Sequence, residues 1–310
     1  MSAAVDPGFG RFAPSPTGPL HLGNLRTALL AWLFARSSGL GFLVRMEDLD
    51  RVTSSPEHER LQLDELERLG LDWDGPVVRQ SDRFDRYDHA IEQLESRDLT
   101  YPCWCTRREI ADASAAPHGA ITRYPGTCRE LSRDEVTLRV GSGRPAAIRL
   151  RADIDTELFF DDLIAGRRRG RPDDIVLRRN DGVPAYNLAV VVDDDAQHVT
   201  QVVRGDDLLS STPSQMHLAA LLHHASPRYA HVPLVLGPDG QRLAKRHGAV
   251  SLETMDASAE DVRGRLATSL GLSEPGERPT TEELLERFDP ARLPRVSWTV
   301  DPGMVCTTAD

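Results

Sequence analysis

Residues 11–24 read RFAPSPTGPLHLGN, and this stretch determines how the fold is predicted to begin. The short apolar segment Phe9 to Ala13 runs into a turn rich in proline and glycine. Leucines at helical spacing follow the turn, at positions 22, 25, 29, 30 and 33. The pattern predicts a strand, a tight loop and a helix. At such a junction the free N–H groups of the helix start favour a phosphate, Gly18 and Gly23 permit close backbone approach, and His21 can donate to phosphate oxygens.

A second segment with phosphate-binding character lies far along the chain, where residues 242–246 read RLAKR. Lys245 lies between Gly240 and Gly248, so its loop can close over a nucleotide and open again. A lysine in this position suits the neutralisation of charge that develops on phosphates. The two segments together predict a nucleotide-activating site.

Together these segments resemble the paired HIGH and KMSKS motifs of the class I aminoacyl-tRNA synthetases, and the first resembles the glutamyl branch in particular. The likeness extends through MEDLD (46–50), AYNLA (185–189) and VRGDD (203–207). It implies catalytic roles for His21 and Lys245. The ATP site that we assign on this basis comprises His21, Gly23, Asn24, Arg242 and Lys245.

Two positions of these motifs depart from the family pattern. Asn24 stands where the last histidine of the first motif would be, and it forms hydrogen bonds but cannot become cationic. Arg242 replaces the first lysine of the second motif and retains the charge. We therefore expect the second change to reduce activity without abolishing it.

The implied substrate is L-glutamate, whose carboxylate attacks the α-phosphate of ATP with the help of Mg²⁺. Arg11 and Arg204 can each form bidentate bonds to a carboxylate, Glu47 can receive the ammonium group, and Tyr186 can add a hydroxyl. By resemblance, the glutamate-binding positions of the family match Arg11, Phe12, Ala13, Pro14, Ser15, Glu47, Tyr186 and Arg204.

Three of the four cysteines, Cys103, Cys105 and Cys128, crowd into one segment, whereas Cys306 lies far away in sequence. Tetrahedral zinc needs four ligands, and chemistry alone favours His118 as the fourth because histidine is a much commoner zinc ligand than tyrosine. Glutamyl-Q tRNA(Asp) synthetases, which the chain also resembles, carry a zinc site with a Cys-x-Cys and Tyr-x3-Cys pattern. That resemblance implies one structural Zn²⁺ held by Cys103, Cys105, Tyr124 and Cys128.

The alternation of strands and helices predicts an α/β protein with a doubly wound, Rossmann-like parallel sheet that binds ligands at the carboxyl ends of its strands. Strands are predicted at 42–46, 187–192, 198–203 and 231–236, and helices from Pro56 towards Gly70 and at 83–97, 213–223, 256–270 and 281–288. We divide the chain into a first catalytic half (1–100), an insertion with the zinc site (101–184), a second catalytic half (185–250) and a short helical C-terminal region (251–310).

The net charge of −11 over 310 residues argues against indiscriminate binding to nucleic acid. It still allows a local basic face, for which the predicted loop Arg167 to Arg171, with Arg178 and Arg179, is a candidate. No apolar run approaches the roughly 20 residues that span a bilayer, and the first ten residues lack a secretory signal. We therefore expect a cytoplasmic protein without a membrane partner, acting as a monomer.

The C-terminal region bears on the expected activity. About 65 residues follow Lys245, which is too few for the anticodon-reading domain of an ordinary glutamyl-tRNA synthetase. In this and in the tyrosine-containing metal pattern the chain resembles the glutamyl-Q tRNA(Asp) synthetases, and the resemblance implies transfer of activated glutamate to queuosine at the wobble position of tRNA(Asp). The alternatives are a minimal glutamyl-tRNA synthetase, a ligase that passes glutamate to a small molecule, and an inactive RNA-binding paralogue that keeps only the fold.

Overall fold

The computed structural model describes residues 7–106, 108–110, 123–243, 252 and 257–300. Within these residues the strands are β1 (Phe9–Phe12), β2 (Gly41–Met46), β3 (Val78–Arg79), β4 (Thr100–Cys103), β5 (Ala147–Leu150), β6 (Leu158–Asp162), β7 (Gly166–Gly170), β8 (Val176–Arg178), β9 (Val199–Gly205), β10 (Arg228–Val232), β11 (Val235–Leu236) and β12 (Trp298–Thr299). The α-helices are α1 (Leu22–Ser37), α2 (Pro56–Arg68), α3 (Phe84–Glu95), α4 (Arg133–Gly141), α5 (Tyr186–Ala196), α6 (Thr212–Leu221), α7 (Ala259–Ser269) and α8 (Thr281–Arg287).

A parallel sheet of five strands, in the order β10-β9-β1-β2-β3, forms the centre of the molecule. The chain winds outwards from β1 in one direction through β2 and β3. It returns to the other side of β1 with β9 and continues outwards to β10. Ligands of doubly wound sheets bind where the order reverses, beyond the carboxyl ends of the strands. The predicted α/β fold is confirmed, and its reversal point lies at the ends of β1 and β9.

Helix α1 begins at Leu22, inside the motif at residues 11–24, and is buried along most of its length. It packs closely on β1 at Gly10. A Cβ atom at this position would lie only 2.7 Å from the Cβ atom of Ala35, so a larger residue would not fit without a shift. The helix ends at Ser37, and Gly39 follows with a left-handed φ of 68°, which glycine adopts without strain. The predicted strand, loop and helix are therefore confirmed.

The other predicted helices are confirmed, within a few residues of their expected ends. Helix α2 begins as expected at Pro56, and the side chain of Ser55 caps it by accepting a hydrogen bond from the backbone N–H of His58 at 3.2 Å. Helices α3, α6, α7 and α8 occupy the remaining predicted segments. Phe34 of α1 meets Phe288, directly after α8, edge to face at 5.1 Å, so the C-terminal helices share the core of the catalytic sheet.

The prediction of a strand at 187–192 is wrong, because these residues lie in helix α5. Every residue from Leu188 to Val192 is buried, so this stretch of helix carries apolar side chains around its whole circumference. A continuous apolar run of this kind does not distinguish a buried helix from a buried strand. The predicted strand at 231–236 is divided at Pro233, which lacks an N–H group for the ladder, into β10 and β11.

Residues 100–178 contain antiparallel structure beside the parallel sheet. Strands β4, β5 and β8 form one sheet, and β6 and β7 form a hairpin. The arginine-rich segment predicted as a loop is strand β7, in which Arg167 and Arg169 pair with Asp161 and Phe159 of β6. Backbone pairing with β6 overrides the low strand propensity of the charged run. Among the described residues, no helix is both long and apolar enough to cross a bilayer.

Candidate active site

A cleft of about 1000 Å³ opens beyond the carboxyl ends of β1 and β9. It is lined by every predicted glutamate-binding and ATP-binding residue in the described part of the chain: Arg11, Phe12, Ala13, Pro14, Ser15, His21, Gly23, Asn24, Glu47, Tyr186, Arg204 and Arg242. Lys245 lies outside the described residues, so its predicted role stays a prediction. The neighbouring strands β1 and β9 thus bring motifs that are distant in sequence together in one cleft.

His21 is the N-cap of α1. Its Nδ1 atom accepts hydrogen bonds from the backbone N–H groups of Gly23 at 3.1 Å and Asn24 at 3.2 Å. Burial lowers the pKa of His21 to about 4, and the positive charge of Arg242 acts in the same direction. The imidazole is therefore neutral at pH 7, and its proton lies on Nε2 because Nδ1 acts as an acceptor. Two N–H groups of the helix start are therefore occupied by the His21 side chain, and the Nε2–H group of His21 can donate to a ligand.

Arg204, at the end of β9, is only 4% exposed. Its guanidinium group donates from Nε to His231 at 3.0 Å, from Nη1 to Gln215 at 2.7 Å and from Nη2 to Thr212 at 2.9 Å. None of these three partners carries a negative charge. Within the described ranges, Arg204 takes part in no ion pair. A buried cation without a carboxylate partner is costly, so this group is prepared for an anionic ligand.

Arg11 has a different electrostatic environment from Arg204. Its Nε atom lies 3.4 Å from an oxygen of Asp194, which also pairs with Nη1 of Arg45 at 2.8 Å. These two arginines lower the pKa of Asp194 despite its burial, so the carboxylate remains ionised and partly neutralises Arg11. Asp194 lies on α5, and the misassignment of this helix as a strand concealed it from sequence analysis.

Glu47 and Tyr186 complete the polar lining that we predicted for glutamate. An oxygen of Glu47 lies 3.6 Å from Nη2 of Arg45, directly after the end of β2. Burial raises the pKa of Glu47, while Arg45 and Arg11 oppose this shift. Burial also raises the pKa of Tyr186, so its hydroxyl stays protonated and can donate a hydrogen bond. An ammonium group that entered the cleft would add a positive charge and favour the ionised form of Glu47.

Arg242 connects the start of the second motif to the cleft. Its Nη1 atom lies 2.5 Å from an oxygen of Asp207, in the 3₁₀ turn that follows β9. A turn at 237–240 precedes it, closed by a 2.9 Å hydrogen bond from Gly240 N–H to Gly237 C=O. Arg242 thus lies on the rim of the cleft, close enough to His21 to affect its pKa.

Helix α2 supports the loop between β1 and α1 from behind. The side-chain amide of Gln62 donates to the carbonyl oxygens of Ser15 at 3.1 Å and Gly18 at 2.7 Å, and Glu65 accepts from the backbone N–H of Leu20 at 2.8 Å. Sequence analysis missed Gln62 and Glu65. The available signal was their spacing with Leu66 on the buried face of α2, where polar side chains need partners.

The cysteine cluster lies where β4 ends. The sulfur atoms of Cys103, Cys105 and Cys128 all lie within 4.8 Å of one another. The Tyr124 hydroxyl lies 3.3 Å from the sulfur of Cys103 and 3.5 Å from that of Cys105, and the sulfurs of Cys105 and Cys128 are 3.6 Å apart. Zinc–sulfur bonds of about 2.3 Å place the sulfurs of a tetrahedral site roughly 3.8 Å apart. The donor set and its spacing therefore fit zinc, whereas His118 lies outside the described residues.

Comparison with known proteins identifies the family of the chain. The sequence profile of tRNA synthetases class I (E and Q), catalytic domain, matches residues 9–300. The chain belongs to this family of class I tRNA synthetases. A relative from Nocardia farcinica named glutamyl-Q tRNA(Asp) synthetase is 60% identical over 96% of this chain and 95% of its own length.

Two further class I synthetases are similar to this chain over a smaller share of their own length. A glutamate–tRNA ligase from Nitratidesulfovibrio vulgaris is 46% identical over 77% of this chain and 51% of its own length. The crystal structure of a glutamate tRNA ligase from Elizabethkingia meningosepticum in complex with its amino acid superimposes with a TM-score of 0.80 at 28% identity. That alignment covers 96% of this chain and 68% of the solved chain.

The cysteine cluster of this class I synthetase leads to a direct prediction. We expect about one zinc per chain in protein purified without chelators, and much less in the Cys103→Ser and Cys128→Ser variants, because a closed site needs every ligand. Elemental analysis with a thermal unfolding curve measures both occupancy and stabilisation. Cys306→Ser is the matched control and should keep its zinc. Loss of zinc from His118→Gln but not from Tyr124→Phe would show that the fourth ligand is the histidine.

Proposed function

We propose that this synthetase activates L-glutamate with ATP and transfers it to queuosine at the wobble position of tRNA(Asp). The observation that carries the activation step is the buried guanidinium of Arg204, which lacks a carboxylate partner in the described structure and lines one cleft with the His21 donor. The proposed acceptor is supported by the relative named glutamyl-Q tRNA(Asp) synthetase, whose 60% identity extends over nearly the full length of both chains.

In the proposed first step, a carboxylate oxygen of glutamate attacks the α-phosphorus of ATP. A new P–O bond forms while the bond to pyrophosphate breaks, so the products are glutamyl-adenylate and pyrophosphate. Arg204 and Arg11 can each bind a carboxylate group of glutamate, and the ionised Glu47 receives the ammonium group of glutamate. The Nε2–H group of His21 donates to phosphate oxygens, where negative charge develops. Mg²⁺ accompanies ATP and supplies further charge neutralisation.

In the proposed second step, a hydroxyl of the modified base attacks the carbonyl carbon of the adenylate. An ester bond to glutamate forms, AMP leaves with the electrons of the broken C–O bond, and the proton of the attacking hydroxyl passes to the phosphate of AMP or to water. The protein contributes mainly by holding the two reactants in line, since the adenylate is already activated. We further propose that one structural Zn²⁺, held by Cys103, Cys105, Tyr124 and Cys128, stabilises the segment that follows β4, and that the chain acts as a monomer in the cytoplasm.

The acceptor position can be tested separately from activation. Amino-acid-dependent exchange of label between pyrophosphate and ATP should occur with glutamate and not with glutamine or aspartate. Queuosine-containing tRNA(Asp) labelled with glutamate is then cut by ribonuclease, and its fragments are separated. Label in the anticodon fragment supports the proposal. Label on the 3′-terminal adenosine would indicate a minimal glutamyl-tRNA synthetase, and exchange without transfer to tRNA would indicate a small-molecule ligase.

A further inference from the structure

A buried chain of hydrogen bonds extends from Arg204 to Asp162, a residue of the β6–β7 hairpin. Nε of Arg204 donates to Nε2 of His231 at 3.0 Å, and Nδ1 of His231 lies 2.5 Å from an oxygen of Asp162. The side chains of His231 and Asp162 are both 0% exposed. These hydrogen bonds thus connect the candidate glutamate site with the β6–β7 hairpin, which does not line the cleft.

The donor at Arg204 fixes the proton on the other ring nitrogen of His231. Arginine has no acceptor atom, so Nε2 must be the acceptor and Nδ1 must carry the hydrogen. That hydrogen is donated to Asp162, which also accepts the backbone N–H groups of Ile164 at 3.0 Å, Ala165 at 2.7 Å and His231 at 3.1 Å. These hydrogen bonds lower the pKa of Asp162 in spite of its burial, so its carboxylate is ionised.

The identity of the partner matters for the charge of Arg204. A carboxylate in direct contact would neutralise the guanidinium, as Asp194 partly does for Arg11. A neutral imidazole fixes the orientation of the guanidinium and leaves its full charge for a ligand. The guanidinium group of Arg204 has five N–H groups in all. The contacts with His231, Gln215 and Thr212 use three of them, and the carbonyl oxygen of Leu208 lies 3.5 Å from Nη2.

We propose that His231, held in one tautomer by Asp162, is a positioning residue that orients Arg204 for a carboxylate of glutamate. The inference rests on the proposed function, because it takes glutamate as the ligand of Arg204. Neither His231 nor Asp162 lines the cleft, so both act through Arg204.

Direct glutamate binding, measured by titration calorimetry without ATP or tRNA, tests this proposal. His231→Leu removes the acceptor and should raise the Kd for glutamate by about 10- to 100-fold, as expected for a hydrogen bond to a charged group. His231→Gln places a carbonyl oxygen near the position of Nε2 and should restore most of the affinity. His224→Leu is the matched control, because His224 pairs with Asp195 at 3.0 Å but does not line the cleft.

Asp162→Asn tests the tautomer without removing the imidazole. The new amide group would donate to Nδ1 and move the proton to Nε2, where it opposes the Nε–H group of Arg204. We expect this variant to raise the Kd about tenfold in the wild-type background and less than twofold when combined with His231→Gln. This test remains valid if His231→Leu does not fold.

Acidic pH should have a related effect. Burial lowers the pKa of His231, although Asp162 opposes the shift. The charged or titratable groups around it are Asp162, Arg204, Asp206 and Tyr229. Protonation would place a cation against Arg204, so the affinity of the wild-type protein should fall with pH more steeply than that of His231→Gln once the pH is well below the ordinary histidine pKa of 6.5. Equal Kd values in all the variants would overturn the proposal, whereas a wild-type protein that binds no glutamate would overturn the proposed function instead.

Discussion

Replacing Arg204 by leucine should lower kcat/KM for glutamate in the exchange reaction by about 100- to 5000-fold. Removing one member of a buried ion pair costs roughly 3–5 kcal/mol, because the other charge is left without a partner. In the complex, that other charge is the substrate carboxylate. The effect should be large at this position because the Arg204 contacts described in the free protein are uncharged, so the substrate supplies the compensating charge.

Two further variants separate charge from geometry. Arg204→Lys keeps the charge but loses the planar fork, so we expect an intermediate loss. Arg60→Leu is the matched control, because Arg60 is 76% exposed and pairs only at 3.7 Å with Glu57 on the same helix. If Arg204→Leu activated glutamate as well as the control does, Arg204 would have no role in binding it.

The second large effect is expected at His21. His21→Asn should lower kcat for adenylate formation by about 100- to 1000-fold, the usual effect of removing one donor that stabilises developing charge. Asparagine is also a good N-cap, so this variant should retain the start of α1. His21→Ala should lose a similar activity and, in addition, about 1 kcal/mol of unfolding free energy. Full activity in His21→Asn would contradict the proposed donor role.

The low pKa of His21 should make the unfolding free energy of the protein depend on pH. Its folded pKa of about 4 lies below the ordinary value of 6.5, so the unfolded chain binds the proton more readily. The stabilisation from the neutral cap is therefore complete above pH 6.5 and is lost as pH falls towards 4. Denaturant unfolding at several pH values should show that the unfolding free energy of His21→Asn declines less than that of wild type over this window. The tautomer of His21 should not change between pH 6 and pH 9.

Sequence patterns predicted those parts of the site that lie at strand ends. Arg11, Glu47 and Arg204 each stand at or directly after the carboxyl end of a strand, and parallel strands bring such positions together. The periodicity of α1 and the Ser55-Pro56 start of α2 were equally clear, because capping and apolar spacing are local signals.

The supporting contacts could not be predicted in the same way. Asp162 and His231 are 69 positions apart and meet only because the β6–β7 hairpin packs against β10. Asp194 was missed because the apolar run of α5 contains no period that distinguishes a buried helix from a strand. Long-range polar pairs of this kind depend on tertiary packing, which carries no local signature in the chain.

ATP-dependent transfer of labelled glutamate to three RNA preparations would identify the acceptor. These are tRNA(Asp) with queuosine, tRNA(Asp) without queuosine, and tRNA(Glu), each at the same concentration. We predict label on the queuosine-containing tRNA(Asp) alone, and loss of that label with Arg204→Leu. Equal labelling of both tRNA(Asp) preparations, or efficient labelling of tRNA(Glu), would contradict the proposed function.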